Sequence, residues 1–395
     1  MIKPAIVVVG YNRPEGVKRL LDSIGKATYK AHNIPLIISI DESNRSDEVE
    51  SVARSFEWIY GTKEIIRFPE RQGLRKHIIK CGDHSIKYGA VIILEDDLVV
   101  AKDFYNYVCE CHEAYSNDSR VCGVSLYSFG ANQFTHFPFI PKNSLSDVYA
   151  GSMVVTWGQS WTSSQWNRFK EWFKEHYERL PQVNYRIPRD ISTWRRSWGI
   201  YFANYMADNN LKYIYPYISR TTCFSDYGEH NKSSIPLSFV QVPLREGIPQ
   251  MYNFEIYDDL VSYDAFYEYE LNSDFIVEGI SSKDICVDLN NMKHDTDGKN
   301  YLLSNAKLKF EIITSFGLTL KPLICNVEQS ISGNEIYLYK IGPDEIIRKW
   351  NKTNRHTKEN LIRLKYEYQD IHWKKLLYYA PRELFFRLKD FISKK

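Results

Sequence analysis

No stretch of this 395-residue chain reaches the ~18 consecutive apolar residues that a membrane-crossing helix needs. The opening MIKPAIVVVGYNRP resembles a secretory leader only superficially. Its apolar run is too short and no small-residue cleavage site follows, so it is expected to be a first core strand. A surplus of charge of one sign is also missing. The formal net charge is +2, which removes any global electrostatic case for nucleic acid. Cysteine is sparse and irregular: seven residues, an odd number, in no repeating framework. Cys109 and Cys111 are separated by one residue, which is neither a zinc nor a redox spacing. Free thiols in a reducing, cytoplasmic compartment are therefore expected. The histidines show no zinc spacing. GYNRPEG, after the first strand, is no Gly-rich phosphate cradle, which argues against a sugar-phosphate nucleotidyltransferase.

What is present describes a globular protein. Hydrophobic residues make up 44% and charged ones 25%, and the length suggests two or three domains. Aromatics reach 15%, including 29 Tyr and 9 Trp, and flat rings suit carbohydrate faces as well as cores. Over the first 130 residues the pattern alternates. Strands are predicted at Ala5–Val9, Pro35–Ile40, Glu64–Phe68, Ala90–Leu94 and Val121–Tyr127. Helices are predicted at Pro14–Ile24, Asp47–Phe56, Gly73–Lys87 and Phe104–Tyr115. This predicts an α/β fold, a mixed and mostly parallel Rossmann-like sheet flanked by helices. Ligands of such sheets bind beyond the carboxyl ends of the strands. Three polar clusters fall there: Tyr11-Asn12-Arg13, Asp41-Glu42-Ser43 and Glu95-Asp96-Asp97.

The last cluster is the most informative. Val91-Ile92-Ile93-Leu94 is a buried strand that ends in three consecutive carboxylates. Such a group repels itself and costs desolvation energy, for which a divalent cation is the usual compensation. Few, hard oxygen ligands point to Mg²⁺ or Mn²⁺ that also holds a substrate diphosphate. A solvated acidic turn is the plain alternative.

Residues 131–250 are less regular and tryptophan-rich, and are expected to complete the same domain, residues 1–265. Short strands follow at Phe275–Gly279, Ile285–Leu289, Leu308–Thr314 and Glu335–Ile341, a small β-rich module over 266–342. From 343 to 395 a helical, basic tail is expected. After Pro381, Leu384, Phe385, Leu388, Phe391 and Ile392 share one helical face. Such a helix suits either an anionic membrane surface or its own domain.

EDDLVVAKDFYNYV resembles the metal-binding strand end of GT-A-fold glycosyltransferases, chiefly the N-acetylglucosaminyltransferase I type. VVVGYNRPEGVKRLLDSI, ISIDES, VCGVSLYSFG and ISRTTCFSDYGEHN match in the same order. TWGQSWTSSQW is more similar to bacterial family 2-like sugar transferases. The resemblance covers roughly residues 1–235. It implies a nucleotide-sugar donor, a Mn²⁺-type ion and a glycan or lipid-linked glycan acceptor. Asp97 would be the metal ligand, and Glu95 and Asp96 would contact donor sugar and ribose. Arg13 would face the phosphates, Asp41 the nucleobase, and Arg75 the nucleotide. His230 would lie in a segment closing over the donor. Trp157 and Trp161 would stack on sugar rings or serve as core residues.

One departure concerns the general base. The inverting family carries Trp-Asp-Asp-Trp about nineteen residues before the Ser of ISRT. Here Trp198 is followed by Gly199 and Ile200. Asp190 is the preferred substitute, with Asp226 and Glu229 as alternatives. The expected function is metal-dependent glycosyl transfer in bacterial cell-surface polysaccharide synthesis, peripheral on the inner face of the membrane. A retaining enzyme and a non-catalytic carbohydrate-binding or scaffold homologue remain as rivals.

Overall fold

The computed structural model describes residues 2–177, 179, 184–224, 238–343 and 345–347, with Arg363, Tyr366, Glu367, Pro381 and Phe385 from the tail. The chain divides into two compact units, 1–350 and 351–395. The second contains an Arg363–Glu367 ion pair one helical turn apart (3.5 Å) and an exposed Phe385. The amphipathic pattern after Pro381 otherwise lies outside the described residues.

The first unit opens with the expected alternation: β1 (Ala5–Gly10), α1 (Pro14–Gly25), β2 (Leu36–Ile40), α2 (Ser46–Ser55), β3 (Lys63–Arg67), α3 (Leu74–Tyr88), β4 (Ala90–Glu95), β5 (Leu98–Val100), α4 (Phe104–Tyr115) and β6 (Val121–Ser125). There follow β7 (Val148–Gly151), β8 (Gln159–Thr162), α5 (Ser163–His176), α6 (Gly199–Asp208), β9 (Lys212–Pro216), β10 (Thr221–Cys223) and β11 (Ser262–Tyr263). Nine of these strands form one sheet in the order β11-β7-β9-β6-β8-β4-β1-β2-β3. The β1–β2, β1–β4, β2–β3, β6–β9 and β7–β11 pairs are parallel. β8 runs antiparallel between β4 and β6, and β7 antiparallel to β9. The sheet is thus mixed and mostly parallel, as the apolar runs predict.

Each face is covered by helices. Val17, Leu20, Leu21 and Ile24 of α1 pack with Val49 of α2 and Phe104 of α4 on one side. Ile78 and Cys81 of α3, Trp166 and Phe169 of α5 and Phe202 of α6 pack on the other. β1 and β2 are buried along their whole length because both faces are covered. Pro14 begins α1, where a missing N–H costs nothing. A capping box of Thr162 and Gln165 starts α5.

Beyond β11 come a hairpin, β12 (Ile276–Val277) with β13 (Ile280–Ser281), and then β14 (Ile285–Asp288), β15 (Tyr301–Ser304), β16 (Glu311–Phe316), α7 (Cys325–Glu328) and β17 (Ile336–Lys340). β14, β15, β17 and β16 make a separate four-stranded sheet. Its Val287, Leu303 and Leu338 share a core with Tyr149 and Tyr215 of the large sheet. The strand expected at Leu308–Thr314 starts later, at Glu311, and β15 was not anticipated. Four residues, YLLS, carry too little periodicity to separate strand from buried coil.

A buried polar cluster links the two sheets. The Asn290 N–H donates to Glu268 Oε1 (2.5 Å), and Lys293 Nζ meets Asp264 Oδ2 at 2.6 Å. Burial, then the charges of Asp288 and Asp264, push the Glu268 carboxyl up to about 8, against Lys293. In the unfolded chain this group ionises near 4.5. The folded state therefore holds a proton that the unfolded state has lost, and stability falls as pH rises between those values. The Glu268→Gln variant keeps the acceptor without the charge. Its stability advantage over wild type should grow from pH 5 to pH 8, by up to about 1.4 kcal/mol per pH unit. Urea unfolding at both pH values checks this, and a gap that does not change with pH would refute it.

Candidate active site at the carboxyl end of the sheet

The buried run of β4 delivers Glu95, Asp96 and Asp97 to a tight turn beyond the sheet. Arg13, just after β1, reaches across to them. Its guanidinium pairs with Asp96 Oδ1 and lies 3.5 Å from Asp97 Oδ2. Burial works against the Arg13 charge, but Asp96 and Asp97 outweigh it and raise its pKa. Burial pushes the Asp96 carboxyl up to about 6, opposed by Arg13. Burial, reinforced by Asp97 and Asp96, holds Glu95 well above the carboxylate range.

Asp96 Oδ2 and Asp97 Oδ1 are buried and accept no hydrogen bond from any protein group among the described residues. Native structures leave few such atoms, and each costs roughly 1–3 kcal/mol. Among the described residues no group of three or more His, Cys, Asp or Glu is arranged to hold a metal. Two carboxylates alone are the donor set that Mg²⁺ or Mn²⁺ takes when substrate phosphates supply further oxygens. The orphaned oxygens therefore fit such an ion.

The turn is held from two sides. α1 approaches so closely at Gly16 that any Cβ there would overlap the Asp96 carbonyl oxygen. On the other side β10 pairs antiparallel with β5, and the Phe224 N–H donates to the Asp97 carbonyl (2.8 Å). Behind β10, Arg220 is fully buried. Its Nε faces Asp103 Oδ2 at 3.3 Å, and the same oxygen accepts from the Tyr252 hydroxyl (3.0 Å). Arg220 lies in the ISRT motif, yet nothing in the sequence pairs it with Asp103, 117 residues away.

The other sequence-predicted residues divide by environment. Asp41, at the end of β2, is buried, and its carboxylate accepts from the backbone N–H groups of Glu42 (2.9 Å), Gln72 (2.6 Å) and Gly73 (2.9 Å). It pins the entry to α3, where Gly73 takes φ +75°. Arg75, in the first turn of α3, donates to the carbonyls of Arg195 and Ser197 and lies over the Tyr201 ring (4.8 Å). Trp157 is half-buried against Tyr127 (4.8 Å) and its carbonyl accepts from Thr221 Oγ1 (2.5 Å). Trp161 is closed to any ligand. It is fully buried, donates to the Tyr213 hydroxyl (2.8 Å) and packs on Trp166 (4.8 Å). Sugar stacking is thereby excluded for Trp161, because no face of the ring is free.

Asp190 is half-buried in a 3₁₀ turn, Arg189–Thr193, preceding the segment that Arg75 grips. Trp198 and Ile200, where the family motif would place its first aromatic and an acid, are buried core residues at the start of α6. His230, Asp226 and Glu229 lie outside the described residues.

The GNT-I family model matches residues 1–182, the stretch that carries Arg13, Asp41 and the three acids. An Arabidopsis thaliana alpha-1,3-mannosyl-glycoprotein 2-beta-N-acetylglucosaminyltransferase is 28% identical over 204 residues, covering 45% of this chain. The chain spans 45% of that relative's length. Among solved structures, the mannosyltransferase PcManGT of Pyrobaculum calidifontis, in complex with GDP-Man and Mn²⁺, is 16% identical with a TM-score of 0.31, covering 49% of this chain and 51% of that one. GalNAc-T7 with UDP, GalNAc and Mn²⁺ is 14% identical with a TM-score of 0.41, covering 59% and 45%.

The contact at Gly16 yields a direct test of the turn. Gly16→Ala should cost about 1–3 kcal/mol of stability, because backbone must move on one side or the other. Denaturant titration reads the loss. An unchanged midpoint would mean that α1 and the acidic turn are not in the contact described.

Proposed function

We propose that this protein is a metal-dependent glycosyltransferase that moves a sugar from a nucleoside-diphosphate donor to a glycan acceptor. The observation that carries the reading is the pair of buried, unpartnered oxygens on Asp96 and Asp97, set beside Arg13 at the carboxyl end of a mostly parallel sheet. The similarity of residues 1–182 to the GNT-I family supports it.

The residues divide the work by position. Asp97, with Asp96, would hold Mn²⁺ or Mg²⁺, which when bound neutralises charge on a diphosphate leaving group. Arg13 stays cationic next to the same place and adds a fixed positive charge there. Asp41 fixes the 72–73 backbone at the rim through the two N–H bonds it accepts from Gln72 and Gly73, shaping the wall on which a nucleobase would lie. An acceptor hydroxyl must lose a proton as it attacks, and a carboxylate can take it. Asp190 is assigned that role, as the one acid between residues 184 and 198. Ile200 cannot serve, being apolar and buried. That same replacement favours a second reading, an inactive homologue that still binds a donor or glycan.

We further propose a lipid-carried cell-surface glycan as acceptor and the cytoplasmic face of a membrane as the place of work. None of the seven cysteines is in a disulfide. The tail from His372 holds seven Lys and Arg against Glu383 and Asp390. No helix among the described residues is long and apolar enough to cross a membrane.

Calorimetric titration of UDP and of GDP, with and without Mn²⁺, tests the donor site. One nucleotide should bind in a metal-dependent manner, and Asp97→Asn should weaken it at least tenfold while leaving the thermal midpoint near wild type. Absence of nucleotide binding in both conditions would remove the transferase reading. For the tail, deletion of residues 372–395 should abolish flotation with anionic vesicles and spare nucleotide affinity. Retained flotation would refute the membrane assignment.

A further inference from the structure

Trp194 closes the 3₁₀ turn that carries Asp190, and its side chain is only half-buried. It stacks on Phe134, also half-buried, at 6.1 Å and 30°. Phe134 meets Tyr267 (6.2 Å), Tyr267 meets Phe129 (5.3 Å), and Phe129 meets Trp157 (6.0 Å), a third half-buried ring. Tyr267 and Phe129 are buried. The three rings that solvent reaches are thus joined through two that it does not.

Two sets of contacts place this strip beside the acids. Trp194 packs over Gly199 next to Thr156. A Cβ at Gly199 would lie 3.5 Å from the Trp194 ring and 3.6 Å from Thr156 Cγ2. The following residue, Trp157, accepts at its carbonyl from Thr221 Oγ1 (2.5 Å). Thr221 pairs with Val100, and Asp97 precedes Val100 by three residues, about 10 Å at the usual strand rise. On the other flank, Arg75 in the first turn of α3 holds the carbonyls of Arg195 and Ser197, one before and one after Arg196. Asp41 pins that same start of α3 at the carboxyl end of the sheet.

Charge beside the strip has one sign. Residues 184–198 include Arg186, Arg189, Arg195 and Arg196 against a single acid, Asp190. Arg195 and Arg196 directly follow Trp194 and are exposed. Neither side chain has an ion-pair or hydrogen-bond partner among the described residues. The exposed arginines Arg54, Arg67 and Arg120, in contrast, each pair with an acid of their own surface.

We infer that Trp194 and Phe134 form the platform on which the acceptor sugar rests, and that Arg195 and Arg196 select an acceptor carrying negative charge, a carboxylate or a phosphate. The apolar C–H face of a hexose suits the ring surface, and a guanidinium fork takes either oxyanion through paired N–H bonds. This rests on the transferase reading above and adds to it the chemical class of the acceptor.

The test is ligand-observed NMR titration of the full chain with glucose, glucuronate and glucose 1-phosphate. Mn²⁺ and whichever of UDP and GDP binds are held at saturation, so that the donor site is occupied. Wild type should bind at least one charged sugar about tenfold more tightly than glucose. That preference should shrink when salt rises from ~50 mM to ~500 mM. Arg195→Gln combined with Arg196→Gln should abolish the preference and leave nucleotide affinity and the thermal midpoint near wild type, since both positions are exposed. Trp194→Ala should weaken glucose and the charged sugar alike, by about 2–10-fold. Preference for glucuronate would assign a uronic-acid-type acceptor and preference for glucose 1-phosphate a phosphate-bearing one, and either supports the inference. Equal binding of the three sugars, binding of none, or a preference that survives the double variant would overturn it and leave the donor reading intact. Failure of wild type to bind either nucleotide would overturn both.

Discussion

The cation of Arg13 against the carboxylates of Asp96 and Asp97 is the interaction on which the site depends. Three adjacent acids at a strand end repel each other, and burial penalises every charge among them. Without a resident cation beside them the turn would be driven to protonate or to open to water. Arg13 relieves the repulsion on one side only. It satisfies Asp96 Oδ1 and leaves Asp96 Oδ2 and Asp97 Oδ1 buried and, among the described residues, unpartnered. The residual demand is for more positive charge, and it is directional. Under the proposed function a divalent ion held with a diphosphate would answer it.

The scaffold around this imbalance is built from close backbone contacts. Gly16 lets the start of α1 rest on the Asp96 carbonyl, and β10 fastens the Asp97 carbonyl from the opposite side. The buried Arg220–Asp103 pair, shared with Tyr252, sits behind β10. Breaking one partner of such a pair leaves an uncompensated charge in the interior, which makes it a stiff backing. The acids therefore cannot relax away from one another by moving main chain, and the unsatisfied oxygens stay where a ligand can use them.

How far this was legible depends on residue pattern. Five sheet-forming runs of the alternating region are short, apolar and bounded by turn residues, so β1 through β4 and β6 could be placed from their periodicity. EDD stood out because three acids after VIIL contradict burial. β8 was not legible: Gln, Ser, Trp and Thr do not alternate in polarity, and the strand is buried on both faces by neighbours far along the chain. The same blindness led Trp161 to be weighed as a sugar platform, when its indole is committed to Tyr213. Asp41 was singled out as polar at a strand end, but two of its three backbone partners, Gln72 and Gly73, come from a loop some 30 residues on, and no spacing encodes that.

Adjacent carboxylates can have different fates because a strand turns successive side chains to opposite faces. Glu95 continues the α3-side row of Ile93 toward Cys81, whose thiol is pushed up chiefly by burial, with the Glu95 charge adding to it. Asp96 continues the row of Leu94 toward α1 and Arg13. Asp97, two residues past the strand, is freed from the alternation; its carbonyl accepts from the Phe224 N–H and its carboxylate lies 3.5 Å from Arg13. One tripeptide thus supplies a buried acid on one side, a cation-paired acid on the other and a third between them. Inserting or deleting a residue in β4 would exchange these environments at once, which is why the length of the buried run before the acids matters as much as the acids themselves.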